Sequence, residues 1–109
     1  MVFSKTLGRF SQITCEMHAF EYISDVGWRE GFYRSLRKLN LSYGVVHVHA
    51  NNFAGFGIIA GVPVANVLEV TWANRSLYDL VDTDEVFPGP LDQPCNSRLP
   101  DHYLGSFRY

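Results

Sequence analysis

Cysteine is scarce in this 109-residue chain: Cys15 and Cys95 are too few for a disulfide framework and lack the paired spacing of a zinc finger. Concentrated positive charge is also missing. The nine Lys and Arg residues form no block, and the net charge is −2. Phosphate recognition needs basic residues gathered together, so nucleic acid is excluded as an expected partner. No run of 18 apolar residues occurs, and the opening "MVFSKTLGRF" has no uninterrupted hydrophobic stretch. No membrane partner and no secretion follow, and the expected setting is cytoplasmic. The N-x-S matches at Asn40 and Asn74 are then chance matches.

What is present is apolar and ring-rich. Hydrophobic residues make up 47% of the chain, aromatics 15% and charged residues 18%, the balance of one packed domain. Phe3, Leu7 and Phe10 recur at helical spacing, predicting the last turns of a helix over residues 2–9. "QITCEMH" alternates Ile13, Cys15 and Met17 with Thr14, Glu16 and His18, predicting a strand over 11–18 with Cys15 turned inward. Ser24 or Asp25 can cap a helix reaching about Leu39, with Trp28, Phe32, Leu36 and Leu39 along its buried face. "YGVVHVHA" and "NVLEVTWANR" are the next two strands. The glycine-rich segment between them has room for a small hairpin near Ile58 and Ile59.

From Phe87 onward the pattern changes: four of the five prolines fall in this stretch. Regular helix or central strand is excluded there. Leu91, Leu99, Tyr103, Leu104, Phe107 and Tyr109 are spaced as apolar anchors for an extended tail. His102, beside Asp101, reads as exposed. The chain divides into residues 1–87, a domain portion, and 88–109, a tail packed on it. The element order predicts an α/β sheet whose first two strands run parallel through a right-handed helical crossover.

The candidate chemistry lies on the strands. Side chains two apart on a strand share a face, so His47 aligns with His49 and Glu16 with His18. A neighbouring third strand adds Glu69. Unpartnered burial of such groups costs several kcal/mol, so they pair with one another or line a wet cleft. His49, Asn51 and Asn52 close a strand at the end where open α/β sheets bind ligands, and His18 closes the strand before it. Histidine pairs with a distant glutamate can also hold zinc or non-haem iron, but this spacing is not a ligand signature and no metal is assigned. "GFGIIAG" imitates a dinucleotide loop but is followed by Pro63 and a strand instead of a helix.

In order along the chain, "RFSQITCEMHAF", "VVHVHANN", "GVPVANVLEVTWANRSLY" and "FPGPLDQPCNSRLPDHYLGSF" resemble the C-terminal half of FkbM-type and related class I S-adenosylmethionine-dependent methyltransferases. Met17 stands where that pattern has an aromatic, and Cys95 where it has Asn. The resemblance implies a partial Rossmann-like methyltransferase sheet: three strands with the last antiparallel and central, one long helix, and an extended proline-rich C-terminal tail. It implies O-methylation of a sugar or natural product in intact relatives. It implies His18 and His49 as catalytic candidates, Asn51 and Asn52 as substrate-binding candidates, and Glu16, His47 and Glu69 as residues holding them in place. S-adenosylmethionine is the cofactor of the intact family. None is expected to bind this chain alone, because no segment supplies the family's glycine-rich loop and acidic strand end. The chain is therefore expected to be a truncated domain, inactive by itself. Its expected partner is the missing N-terminal half or a second copy. A free-standing interaction module, or a small His/Glu metal protein, is the alternative.

Overall fold

The structure, a computed structural model, describes residues 6–106. Half of the helix expected over 2–9, residues 2–5, lies outside them. Residues 6 and 7 are helical, and the turn that follows is closed by Phe10 N–H donating to the Leu7 carbonyl at 3.0 Å. Then come β1 (Gln12–Met17), a 3-10 turn (Phe20–Ser24), α1 (Val26–Ser42) and β2 (Tyr43–Ala50). The hairpin strands β3 (Phe56–Ile59) and β4 (Val62–Ala65) precede β5 (Leu68–Asn74). Two short strands, β6 (Val86–Phe87) and β7 (Gly105–Ser106), complete the order. No helix among the described residues is long and apolar enough to cross a membrane.

Helix α1 starts where the Asp25 side chain accepts a hydrogen bond from the Trp28 N–H at 2.7 Å, satisfying one of the free donors of the first turn. Its buried face begins with Trp28 stacked on Phe32 at 5.0 Å, and Phe32 meets Phe20 edge-on at 5.9 Å. The helix runs past Leu39 to Ser42 and passes straight into β2, with no loop between.

The main sheet has the order β1-β5-β2, with β5 antiparallel to both neighbours. The expected partial Rossmann-like sheet is overturned. Every ladder among the described residues is antiparallel, and the strands fall into three small sheets. The reason lies in the connections. A parallel pair needs a crossover of a dozen or more residues, and the connection through α1 is such a crossover. It links β1 to β2, which run the same way but are held apart by β5. The remaining ladders are antiparallel, across the tight turn of β3–β4 and across the longer links of β2–β5 and β6–β7. The β3–β4 hairpin turns through Ala60 (φ 50°) and Gly61 (φ 80°), the left-handed pair that a two-residue turn between twisted strands requires.

One irregularity decides which side chains face where. In β2, Val45 pairs with Trp72 but His47 pairs with Thr71, so Val46 is an extra residue in the ladder. Without this bulge Val45, His47 and His49 would share a face, all being two apart. With it, Val45 lies on the side of Trp72, Val70 and Val48, while His47 and His49 lie with Thr71 and Glu69. The first side packs with Leu36 and Leu39 of α1 into the core of Leu39, Tyr43, Val48, Val70 and Trp72. The Trp72 indole N–H donates to Asn40 Oδ1 at 3.1 Å, and the Tyr43 hydroxyl donates to the Phe10 carbonyl at 2.8 Å, so both buried rings keep their polar ends satisfied.

The proline-rich segment is pinned at its base. β6 pairs with β7, and the Leu104 N–H donates to the Phe87 carbonyl at 2.9 Å. Phe87 belongs to the core cluster, and Leu104 packs against it. The other expected anchors do not hold it. Leu91 is 95% exposed and Tyr103 73%, Leu99 is also exposed, and Phe107 and Tyr109 lie outside the described residues. Cys15 departs from expectation too, being exposed on β1.

Candidate functional site

Across the middle of the sheet one row reads Glu16, Glu69, His49, from β1 through β5 to β2. The next reads Thr14, Thr71, His47, with the two threonine hydroxyls 3.0 Å apart. Two glutamates directly opposite each other repel, so each needs a positive or donating neighbour. Glu16 has the Asn51 amide at 3.1 Å and His18 Nε2 at 3.2 Å. Glu69 has His49 Nδ1 at 3.3 Å.

His49 is the centre of the face. It is 6% exposed, and both ring nitrogens meet carboxylates: Nδ1 meets Glu69, and Nε2 meets Asp101 Oδ2 at 2.8 Å. A carboxylate only accepts, so the ring donates from both nitrogens when both contacts are made, which is the imidazolium form. Burial works against that charge. The hydrogen bonds from Asp101 and Glu69, with the charges of Asp101 and Asp92, outweigh it and raise the His49 pKa above its ordinary value.

The tail provides the other half of the arrangement. His47 Nε2 lies 2.8 Å from Asp92 Oδ1, and its ring stands edge-on to Phe87 at 5.5 Å. Asp92 Oδ2 accepts from the Gly89 N–H at 2.6 Å. Burial alone would raise the Asp92 carboxyl, but the Gly89 N–H and the His47 ring hold it below its ordinary value. Asn52, 3% exposed, fastens the tail by its backbone: Oδ1 accepts from the Asn96 N–H at 2.6 Å, and Nδ2 donates to the carbonyls of Asn96 and Pro100 at 3.0 and 3.1 Å. His102 is half-buried, donating from Nε2 to the Ala54 carbonyl at 2.7 Å with its ring against Phe56. Cys95 places its thiol 3.7 Å from Glu69 Oε1 and 4.0 Å from His49 Nδ1. Burial and the neighbouring Glu69 charge push that thiol up.

The seven residues singled out in the sequence therefore fall into three groups along one face. His18, Glu16 and Asn51 form an outer cluster, and Asn51 Oδ1 also accepts from the Phe53 N–H. His49 and Glu69 form the buried middle. His47 sits apart with Asp92, and Asn52 is occupied by the tail. Sequence reasoning missed Asp92, Cys95 and Asp101. The available signal was three unbalanced acids or thiols in a segment with no periodicity, opposite histidines that needed partners.

"GFGIIAG" folds as the β3–β4 hairpin, not as a turn from strand to helix N-terminus. Its backbone N–H groups are therefore not gathered at a helix end. The chain matches no family model, and no curated protein or solved structure matches it.

Proposed function

We propose that this chain is the acceptor side of an S-adenosylmethionine-dependent methyltransferase of FkbM type, acting on a hydroxyl of a sugar or natural product once a further segment or second polypeptide holds the cofactor. One observation carries the reading. The four sequence segments that bear the resemblance all contribute to one polar face of the sheet, with Glu16 from β1, His49 and Asn52 from β2 and its end, Glu69 from β5 and Asp101 from the tail.

Methylating a hydroxyl requires its proton to leave, and a positioned imidazole is suited to take it. Glu69 holds His49 at Nδ1, which orients the ring and keeps a proton there. Asp101, on the tail, occupies Nε2. Moving the tail away exposes Nε2 as the atom that accepts the acceptor's proton, and Asp101 then serves as a gate. His18, exposed beside Glu16 and Asn51, lies at the outer end of the same face, where an acceptor hydroxyl can reach it.

No cofactor binds this chain alone on this reading, since its glycine-rich segment is a hairpin. The outer edge of β1, with Phe10 and Cys15 exposed nearby, supports docking of that further segment or of a second copy. The two unpaired, exposed thiols support a reducing, cytoplasmic setting.

The test uses the intact polypeptide recovered from its source, given S-adenosylmethionine labelled on the methyl group and a panel of hydroxylated acceptors. Label is expected in an acceptor, and His49→Gln is expected to abolish its transfer. The 109-residue chain is expected to show no heat of cofactor binding in calorimetry. Micromolar binding to that chain, or an intact polypeptide that labels nothing, overturns the reading.

A further inference from the structure

Cys95 has no part in that acceptor chemistry, yet it completes a triangle. His49 Nδ1 and Glu69 Oε2 are 3.3 Å apart, Cys95 Sγ and Glu69 Oε1 are 3.7 Å apart, and Sγ and Nδ1 are 4.0 Å apart. One ligand atom from each residue lies within 4.8 Å of the others. Tetrahedral zinc has Zn–N and Zn–O bonds of about 2.0–2.2 Å and Zn–S of about 2.3 Å. Those bond lengths separate N from O by about 3.4 Å, and S from either by about 3.6 Å. The two short contacts of Glu69 use different oxygens, Oε2 toward Nδ1 and Oε1 toward Sγ, so a cation held by one of them needs a small turn of the carboxylate, and the S–N edge must close by roughly 0.4 Å.

The donors also come from three different parts of the chain: β2, β5 and the tail. A cation here would cross-link the tail to the sheet without asking any backbone to refold. Asp101 sits where metal-bound histidines keep a carboxylate. With Oδ2 at 2.8 Å from Nε2 it holds the proton on that nitrogen, so Nδ1 is the atom that releases its proton when a cation takes the place between Glu69 and Cys95. Charge balance agrees, since a divalent ion is neutralised by one carboxylate and one thiolate. Cys95 is exposed and Glu69 half-buried, so the open side of the triangle faces solvent.

We propose that His49 Nδ1, the Glu69 carboxylate and Cys95 Sγ bind a thiophilic divalent cation, zinc foremost, with water as the fourth ligand. The same three-residue line of Cys95, His49 and Asp101 also looks like an activated thiol. The distances favour the metal: Sγ is 4.0 Å from Nδ1, and Glu69 stands closer to that nitrogen than the sulfur does. The site does not depend on methyl transfer, because its readout is metal retention alone.

The experiment is elemental analysis of the tag-free 109-residue chain after loading with zinc and desalting, paired with cobalt substitution. One zinc per chain is expected, and cobalt should give tetrahedral ligand-field bands with a thiolate charge-transfer band. Cys95→Ser, at an exposed position, should erase the charge-transfer band and weaken binding at least about tenfold. Asp101→Asn should weaken binding by roughly 10–100-fold while keeping the thiolate band. Cys15→Ser, the other thiol, should change neither. Circular dichroism checks that each variant folds. No retained zinc in the parent chain, or equal retention by the parent and Cys95→Ser, overturns the proposal.

Discussion

The two faces of the β1-β5-β2 sheet are closed by different physics. One face, bearing Val48, Val70 and Trp72, is closed by α1 and Tyr43 through apolar burial. The other, bearing Glu16, Glu69, His47 and His49, is closed by a tail that has Phe87 and Leu104 at its base but reaches the face itself through pairs of charged or polar groups. Burial of rings and aliphatic groups is non-directional and insensitive to pH. Imidazole–carboxylate pairs are directional and exist in one protonation state. The comparison teaches that this small domain has one face built to stay shut and one that solution conditions can loosen, and the loosened side holds the candidate site.

The largest test of that contrast falls on the apolar face. Trp72 is 3% exposed in the core cluster, and truncating such a ring typically costs about 3–5 kcal/mol. Natural domains have only about 5–15 kcal/mol in total. Trp72→Ala is therefore expected to bring the chain close to unfolding, read as a large fall in the urea midpoint by circular dichroism. A loss below about 1 kcal/mol would mean that α1 is not what holds the sheet.

A smaller effect should appear on the polar face, and only there. Folding raises the His49 pKa, so the stabilisation from its two carboxylates is complete below its ordinary value of 6.5. It is lost as pH climbs through the higher folded value. Folding lowers the Asp92 pKa, so its contribution is complete above 3.8 and lost as pH falls through the lower folded value. Together the two give a stability plateau between those ordinary values, with a decline on either side. The urea midpoint against pH, measured with chelator present, reads this directly. His49→Gln should remove the alkaline limb and leave the acid limb. A parent midpoint that stays flat as pH rises past 6.5 would show that the tail is not held by His49.

How much of this was legible in the sequence follows the same division. Strand periodicity revealed β1, β2 and β5, because alternation is a local property, while the central place of Glu69 between Glu16 and His49 came from the resemblance. The antiparallel, three-sheet architecture was not legible, since the first strands' directions were read correctly while the sheet they belong to was borrowed from a resemblance. The bulge at Val46 was hidden as well: "YGVVHVHA" looks like unbroken alternation, and only the partner strand reveals the extra residue. The tail was the hardest segment. Its partners on β2 and at the end of that strand lie 44 to 52 residues away, so no local pattern announces them. What remained visible was its apolar residues, and of those described only Leu104 packs on the core, while Leu91, Leu99 and Tyr103 are exposed.

That error gives the smallest expected effect. Leu91 was the natural choice for a residue strapping the tail down, yet it is 95% exposed, while its neighbour Asp92 carries the contact with His47. A side chain in that position loses almost nothing on truncation, because little apolar area leaves water when the chain folds. Leu91→Ser is expected to shift stability by no more than about 0.5 kcal/mol, in keeping with surface substitutions generally. Hydrogen exchange over residues 88–104 should be unchanged in this variant. A tail that opens in Leu91→Ser would mean that its closure is apolar after all, and the distinction between the two faces of the sheet would collapse.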